Sequence, residues 1–303
     1  MTIAPWTRFA LDSRVELTPE MSVILGADHS APALARTLDA FEALGPRPRR
    51  EVIVPSRRAA SASQALLTLH IDADPNLRPI PSDDVPLSAQ YNVGASVARA
   101  DVLMFVRPGA EPDAATMEAI AAAFAADAAA ILGFVGAGAT GPQPLHPGDL
   151  LPGRATRPVG FIAIRRTAWE TVGPFDITWT GTQAVGWALR AMAQDLMVLG
   201  TAVGGTARPA CLPTVTVWEE LWARGVALDP ALTRSRQTAR AEHRRALAVQ
   251  ARHHGQTRLG ALACLIQGMT RTPGSVIRDP MAWLTASAEI ITDPGTSKPC
   301  SAS

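Results

Sequence analysis

The chain has 303 residues, is 47% hydrophobic and carries a formal net charge of +1. It can bury a large core, and it lacks the basic balance of a nucleic-acid binder, so no nucleic-acid partner is expected. Three cysteines, Cys211, Cys264 and Cys300, lie far apart without a C-x-x-C spacing, which excludes a disulfide framework and a zinc ribbon and points to a reducing compartment.

No run approaches 18 apolar residues free of charge, and no charged-then-apolar leader opens the sequence. A cytoplasmic protein without a membrane span is therefore expected. Arginine supplies nearly all the positive charge, because Lys298 is the only lysine.

Residues 1–20 read as an N-terminal arm. Ser22-Val-Ile-Leu-Gly26 is a first buried strand, Ser30 suits an N-cap, and Leu34, Leu38 and Phe41 form one helical face that Gly45-Pro46 ends. Glu51-Val-Ile-Val54 is a second strand, 61–70 a helix and 77–80 a short strand. Asp72-Ala-Asp74 has a metal-binding spelling but reads as a surface turn, as does Asp83-Asp84. A helix through Asn92 and Gly94 then leads to residues 102–106, apolar at every position like a strand covered on both faces. Arg107-Pro108-Gly109 must turn, because proline fixes φ and glycine accepts φ > 0. Pro112 suits the first turn of the next helix, which the alanine-rich run extends over 114–130. A strand at 131–135, a long Gly/Pro loop at 136–158, a strand at 159–164, a helical turn at 167–172, a helix at 182–194 and a strand at 197–203 follow.

Strands alternating with helices predict an α/β fold with a mostly parallel sheet flanked by helices. The turn after Val106 falls at the carboxyl end of a central strand, where open α/β sheets bind ligands. From about residue 216 the character changes. Trp218, Leu221 and Trp222 share a helix face that packs on the domain. Residues 232–269 read as a long basic helix with Arg234, Arg236, Arg240, Arg244, Arg245, Arg252 and Arg258. That helix either packs on the domain or a protein partner with a solvated arginine face, or lies on an anionic membrane. His243, His253 and His254 are expected at the surface. The predicted division is an arm at 1–20, an α/β domain at 21–215, a C-terminal helical extension at 216–290 and a disordered tail at 291–303.

The order of motifs resembles family 2 glycosyltransferases of the GT-A fold. Arg36-Thr-Leu38 with Phe41 matches the family's first helix, and Asn92-x-Gly94-x-x-x-Ala98-x-Ala100-Asp101 is similar to its Asn-x-Gly helix. Residues 102–112 resemble the strand that carries Asp-x-Asp and the Glu-Pro after it. Arg165-Arg166, Val172-Gly173 and Phe175-Asp176 resemble its Arg-Arg, Val-Gly-Gly and Phe-Asp. The resemblance covers about residues 21–203 and implies a GT-A-like domain that binds a nucleotide sugar in glycan or polysaccharide assembly.

The family's acids are missing. Ser56-Arg57-Arg58-Ala59 stands where Asp-Asp-Gly-Ser should follow the second strand, Arg107-Pro108-Gly109 stands at the metal-binding Asp-x-Asp, and Gln183-Ala184 at the Glu-Asp that supplies the base. A divalent ion needs oxygen ligands, and neither arginine nor glycine has a side-chain oxygen, so the family's Mg or Mn site is expected to be lost and no cofactor is predicted. The candidate nucleotide or diphosphate residues are Ser56, Arg57, Arg58, Asn92, Arg107 and Gly109, with guanidinium in place of metal and backbone N–H groups of the helix after Pro112 assisting. Asp176 and Gln183 are the substrate-region candidates, Asp176 chiefly as organiser of its loop. Glu111, Asp113, His146, Asp149, Glu219 and Glu220 stand open as substitute bases. The first expectation is a binding or scaffolding protein that has lost metal-dependent catalysis. The alternatives are an active metal-independent transferase using its arginines on the diphosphate, and an unrelated phosphate- or nucleotide-binding α/β protein.

Overall fold

The computed structural model describes residues 19–26, 31–45, 48–57, 61–74, 76–82, 86–135, 141–151, 159–179, 182–205, 215–253, 258–271 and 280–292. The chain forms two compact units, one of Met1–Leu145 with Arg157–Arg208, the other of His146–Thr156 with Pro209–Ser303. The N-terminal arm through residue 18, Ser30, Arg58, Asp83-Asp84, His254 and the tail from 293 lie outside the described residues, as do the side chains of Arg57, Asp72 and His253.

The first unit is built on one sheet. Its strands are β1 (Met21–Leu25), β2 (Arg50–Arg57), β3 (Leu77–Ser82), β4 (Val102–Val106), β5 (Ala110–Glu111), β6 (Ala130–Val135), β7 (Gln143–Pro144), β8 (Val159–Arg165) and β9 (Val198–Gly205). Their order is β3-β2-β1-β4-β8-β6-β9-β5, with β7 also on β9. The pairs β1–β2, β2–β3, β1–β4 and β6–β9 are parallel, while β8 runs against both β4 and β6. The α/β class and the dominant strand direction are as expected, with β8 inverted at the centre.

Helices α1 (Ala31–Ala43), α2 (Ser61–Ala73), α3 (Leu87–Val97) and α4 (Ala114–Ala125) alternate with these strands; α5 (Pro147–Leu150) belongs to the second unit, and α6 (Arg166–Val172) and α7 (Gln183–Met192) to the first. Leu34, Leu38 and Phe41 are buried on α1, and Leu103, Met104, Phe105 and Val106 on β4, as their patterns required. Helix α4 stops five residues short of the alanine run's end. Asp127 takes φ 60, and Ala130 is already in β6, so sheet pairing overrides alanine's helix propensity. Pro112 lies one residue before the N-cap, Asp113, rather than in the first turn.

Arginines close the carboxyl ends of several helices. Arg50 donates to Phe41 O and to Gly45 O (2.6 Å) after α1. Arg165 donates to Phe124 O and to Ala128 O (2.9 Å) after α4. Arg166 donates to Ala98 O (2.9 Å) and, through Nε, to Ala100 O (2.9 Å) after α3. Arg190 reaches Pro174 O and Val172 O after α6. The last carbonyls of a helix have no partner within it and carry its negative dipole end. A forked cation meets a carbonyl at the helix end and one in the segment that follows it at once.

The second unit holds α5, α8 (Val215–Leu228), a 3₁₀ turn at Pro230–Ser235, α9 (Arg236–His253), α10 (Arg258–Arg271) and α11 (Pro280–Thr292). The predicted single basic helix is thus a 3₁₀ turn and two helices; the connection after residue 253 contains Gly255, a weak helix former. Helix α11 is an element the sequence reading did not find, and it carries residues 291 and 292 of the expected tail. Ala241, Ala248, Ala261, Leu265, Trp283, Ala286 and Ile290 form a core shared by α9, α10 and α11. Trp218, Leu221 and Trp222 are fully buried, as expected of a packing face. The arginine face is solvated in part, with Arg234 exposed and Arg236 and Arg240 each 41% exposed. Arg236 and Arg240 pair with Glu219 of α8 at 2.7 and 2.6 Å, Arg244 is buried, and Arg245 lies over the Trp283 ring at 6.0 Å. His243 is buried rather than exposed, because its ring stacks on Trp218 at 5.5 Å. No described helix is long and apolar enough to cross a membrane.

Candidate functional site

Strands β1 and β4 end together, Leu25 beside Val106, while β2 runs on to Arg57 beside Ser82 of β3. Because β8 is inverted, its first residues meet the end of β4, and Arg107 N donates to Gly160 O at 2.8 Å. The end of β9 pairs Gly204 and Gly205 with Glu111 and Ala110 of β5. Arg57 at the end of β2, Arg107 and Gly109 after β4, and Glu111 in β5 therefore lie on one edge of the sheet.

The turn after β4 is fixed through its backbone. Ala110 N donates to Arg107 O at 3.1 Å and Gly109 has φ 94, the pattern of a type II turn with proline at its second position. Thr37, fully buried on α1, grips the far side. Its hydroxyl accepts from Gly109 N and donates to Ala110 O, both at 2.8 Å. The Tyr91 hydroxyl donates to Val106 O at 2.9 Å. Arg36, beside Thr37, pairs with Glu111 at 3.4 Å. The Arg107 side chain is half-buried and forms no hydrogen bond or ion pair among the described residues. A rigid backbone thus presents an unpaired guanidinium. Ser56 is buried one residue before the end of β2, Arg57 is that strand's last residue, and Arg58 is outside the described residues.

Asn92 has a different job from its neighbours. Its Nδ2 donates to Phe175 O and its Oδ1 accepts from Phe175 N, both at 2.9 Å. The amide is thereby spent on holding the Phe175-Asp176 turn against α3. Phe175 in turn packs on Phe105, Trp169 and Tyr91, with ring centroids 4.8, 5.0 and 5.9 Å away. Asp176 Oδ1 accepts from Thr178 N (2.9 Å) and the Thr178 hydroxyl (2.7 Å), which shapes the chain ahead of α7. Gln183, the first residue of α7, is buried, and the N-cap Thr182 makes no capping bond with its side chain. Gly186 lies against Trp179, where an added Cβ would come within 1.9 Å of the indole.

The five carboxylates among the substitute bases are each engaged elsewhere. Glu111 pairs with Arg36, Glu219 with Arg236 and Arg240, and Glu220 with Arg224 at 2.8 Å. Asp149 accepts from His146 N at 2.9 Å. Asp113 accepts from the Thr116 hydroxyl (2.7 Å) and Thr116 N (2.8 Å). Those two bonds hold its carboxyl below the usual carboxylate range. The amino end of α4 is thus capped by its own carboxylate, which repels a second anion there.

Thr37 and Tyr91 are parts of the site that the sequence reading passed over. Both left a signal. Thr37 is a polar residue inside the apolar stripe of Leu34, Leu38 and Phe41, and Tyr91 is the chain's single tyrosine.

Among solved structures, a mannosyltransferase from Pyrobaculum calidifontis in complex with GDP-Man and Mn2+ is similar with a TM-score of 0.56, at 15% identity, over 94% of this chain and 90% of that one. The fold is that of a GT-A glycosyltransferase. Glucosyl-3-phosphoglycerate synthase from Mycobacterium tuberculosis, in complex with Mn2+, UDP and glucosyl-3-phosphoglycerate, gives a TM-score of 0.48 at 14% identity, over 71% of this chain and 80% of that one. Identities this low establish the fold alone. No family model matches the sequence, and no curated protein does.

Proposed function

We propose that this protein binds the diphosphate of a nucleotide sugar at the carboxyl edge of its sheet through arginine rather than a divalent ion, and serves glycan assembly as a binding or scaffolding protein. The observation that carries this reading is the Arg107 guanidinium, unpaired among the described residues on a turn whose backbone is tied to Gly160 and Thr37. A planar cation on a rigid mount suits a phosphate pair, which it meets with two parallel hydrogen bonds. The fold supports the ligand class, since the mannosyltransferase of the same fold was solved with GDP-Man. Residues 107–109, which resemble the family's metal-binding Asp-x-Asp by their place in the sequence, offer no carboxylate to a divalent ion, and this supports a guanidinium in the ion's role. Ala184 accepts no proton, and the nearby carboxylates are held by caps and ion pairs.

The test is thermal denaturation with UDP, GDP and their sugar conjugates, in EDTA and in Mn2+. Binding to the folded state alone at 100 times Kd adds about 2.7 kcal/mol, so a raised midpoint in EDTA is expected. Arg107→Ala should weaken the response by roughly 10–100-fold in affinity, as befits a lost hydrogen-bonded charge. No response to any nucleotide would overturn the reading. The same guanidinium favours one other reading, a metal-independent transferase in which it stabilises the departing diphosphate. Sugar transfer in EDTA would establish that alternative.

A further inference from the structure

The geometry points to a transition-metal site on the paired helices α1 and α2, formed by Asp39, Glu42 and His70. Asp39 and Glu42 are three residues apart on α1 and so share a face. His70 stands in the last turn of α2. Its Nε2 lies 3.8 Å from Asp39 Oδ1, and its Nδ1 lies 4.0 Å from Glu42 Oε2. One ligand atom from each residue lies within 4.8 Å of the others. These separations exceed hydrogen-bonding distance, and none of the three side chains has another partner among the described residues. Three donors converge without bonding one another.

A zinc-like ion with bonds of about 2.0–2.2 Å holds neighbouring ligands roughly 3.4 Å apart. Closing the tripod needs rotations of two exposed carboxylates that hold nothing else, with the ion on a single histidine nitrogen. The imidazole is mostly buried, so it is the fixed member to which the carboxylates come. One nitrogen and two carboxylate oxygens suit Zn2+, Co2+ or Ni2+, with the remaining positions left to water. Mg2+ and Ca2+ prefer oxygen alone. The ligands come from two helices, so no short spacing in the sequence announces them. The ion would fasten α1 to α2, and α1 carries Thr37, the residue that grips the turn at Gly109.

The experiment titrates the full chain, stripped with chelator, with Co2+ by visible absorption and with Zn2+ by calorimetry. One saturable equivalent is expected, with a raised melting midpoint and no comparable response to Mg2+. His70→Ala and Asp39→Asn should each weaken binding by no less than the roughly 10–100-fold typical of groups that only support a ligand. Asp39 is exposed, so Asp39→Asn leaves the fold intact and tests the site even if His70→Ala disturbs packing. Absence of saturable binding overturns the site, as does binding that Asp39→Asn leaves unchanged or an equal response to Mg2+. Nucleotide binding is measured in EDTA, so failure of either idea leaves the other standing.

Discussion

Glu51 carries its charge almost out of reach of water, with 1% of its surface exposed. It survives there because four donors reach it: the Ser22 hydroxyl (2.7 Å), Arg99 N (2.7 Å), Arg99 Nε (3.0 Å) and Arg78 Nη1 (2.6 Å). Burial alone would push its carboxyl up. The hydrogen bonds from Ser22, Arg99 N and Arg78, with the Arg99 charge, outweigh that and hold it below its ordinary value. A carboxyl depressed by folding stabilises fully above the unfolded value, near pH 4.3, and its contribution is lost as pH falls through the folded value. Urea titrations should therefore show the midpoint dropping below about pH 4.3. Glu51→Gln should cost about 3–5 kcal/mol at pH 7, the cost of breaking a buried pair, and should flatten the acid limb. An unchanged acid limb in the variant would remove Glu51 from this role. The sequence shows Glu51 only as the start of a strand. Its partners Arg78, Ser22 and Arg99 lie 27, 29 and 48 residues away; the β1–β2–β3 pairing brings Ser22 and Arg78 beside it, and Arg99 comes from the segment between α3 and β4.

At the scale of elements, helix ends proved harder to read than strands. Strand β4 was legible because five successive apolar residues have no other use at the centre of a sheet. The turn after it was legible because Pro108-Gly109 admits few backbones. The end of α4 was not, since alanine favours helix through residue 130 while the stop signals are Asp127 at positive φ and a guanidinium from β8. Periodicity also merged two basic helices into one, because arginine reads as a solvated face whether it meets water, Glu219 or Trp283. The arginine caps give a specific expectation. Arg165→Lys keeps the charge but cannot bond Phe124 O and Ala128 O as a fork. It should cost about 1–2 kcal/mol, near the worth of one or two hydrogen bonds, measured as a lower denaturation midpoint at unchanged slope. A midpoint equal to that of the parent chain would show that the fork adds nothing over an ammonium.

The molecule as a whole is divided in space differently from its division along the chain. Composition suggested a boundary near residue 216, but residues 146–156, inside the long Gly/Pro loop, belong to the second unit. Leu150 and Leu151 are fully buried there, with Leu151 packed close to Gly225 of α8. A local reading of Gly and Pro sees only a loop. What the loop covers is decided by residues some 75 positions later. A chain ended after Arg208 would therefore leave Leu150 and Leu151 without α8. It should bind an apolar dye more strongly than the full chain and aggregate on concentration. Equal dye binding would show that α8 is not needed to cover them. The candidate site follows the same rule of distance. Its location was visible from the strand and turn, but the parts that hold it, Thr37 and Gly160, come from an earlier helix and a later strand.

Guanidinium, not ammonium, closes the helix ends through Arg50, Arg165, Arg166 and Arg190, and Lys298 is the only side-chain amine in the 303 residues. Acylating reagents and amine cross-linkers therefore find no ε-amine among the described residues of either unit. A fluorophore or a surface-coupling bond aimed at lysine goes to residue 298, at the far end of the chain from the turn, and leaves every arginine and carboxylate discussed above chemically unaltered.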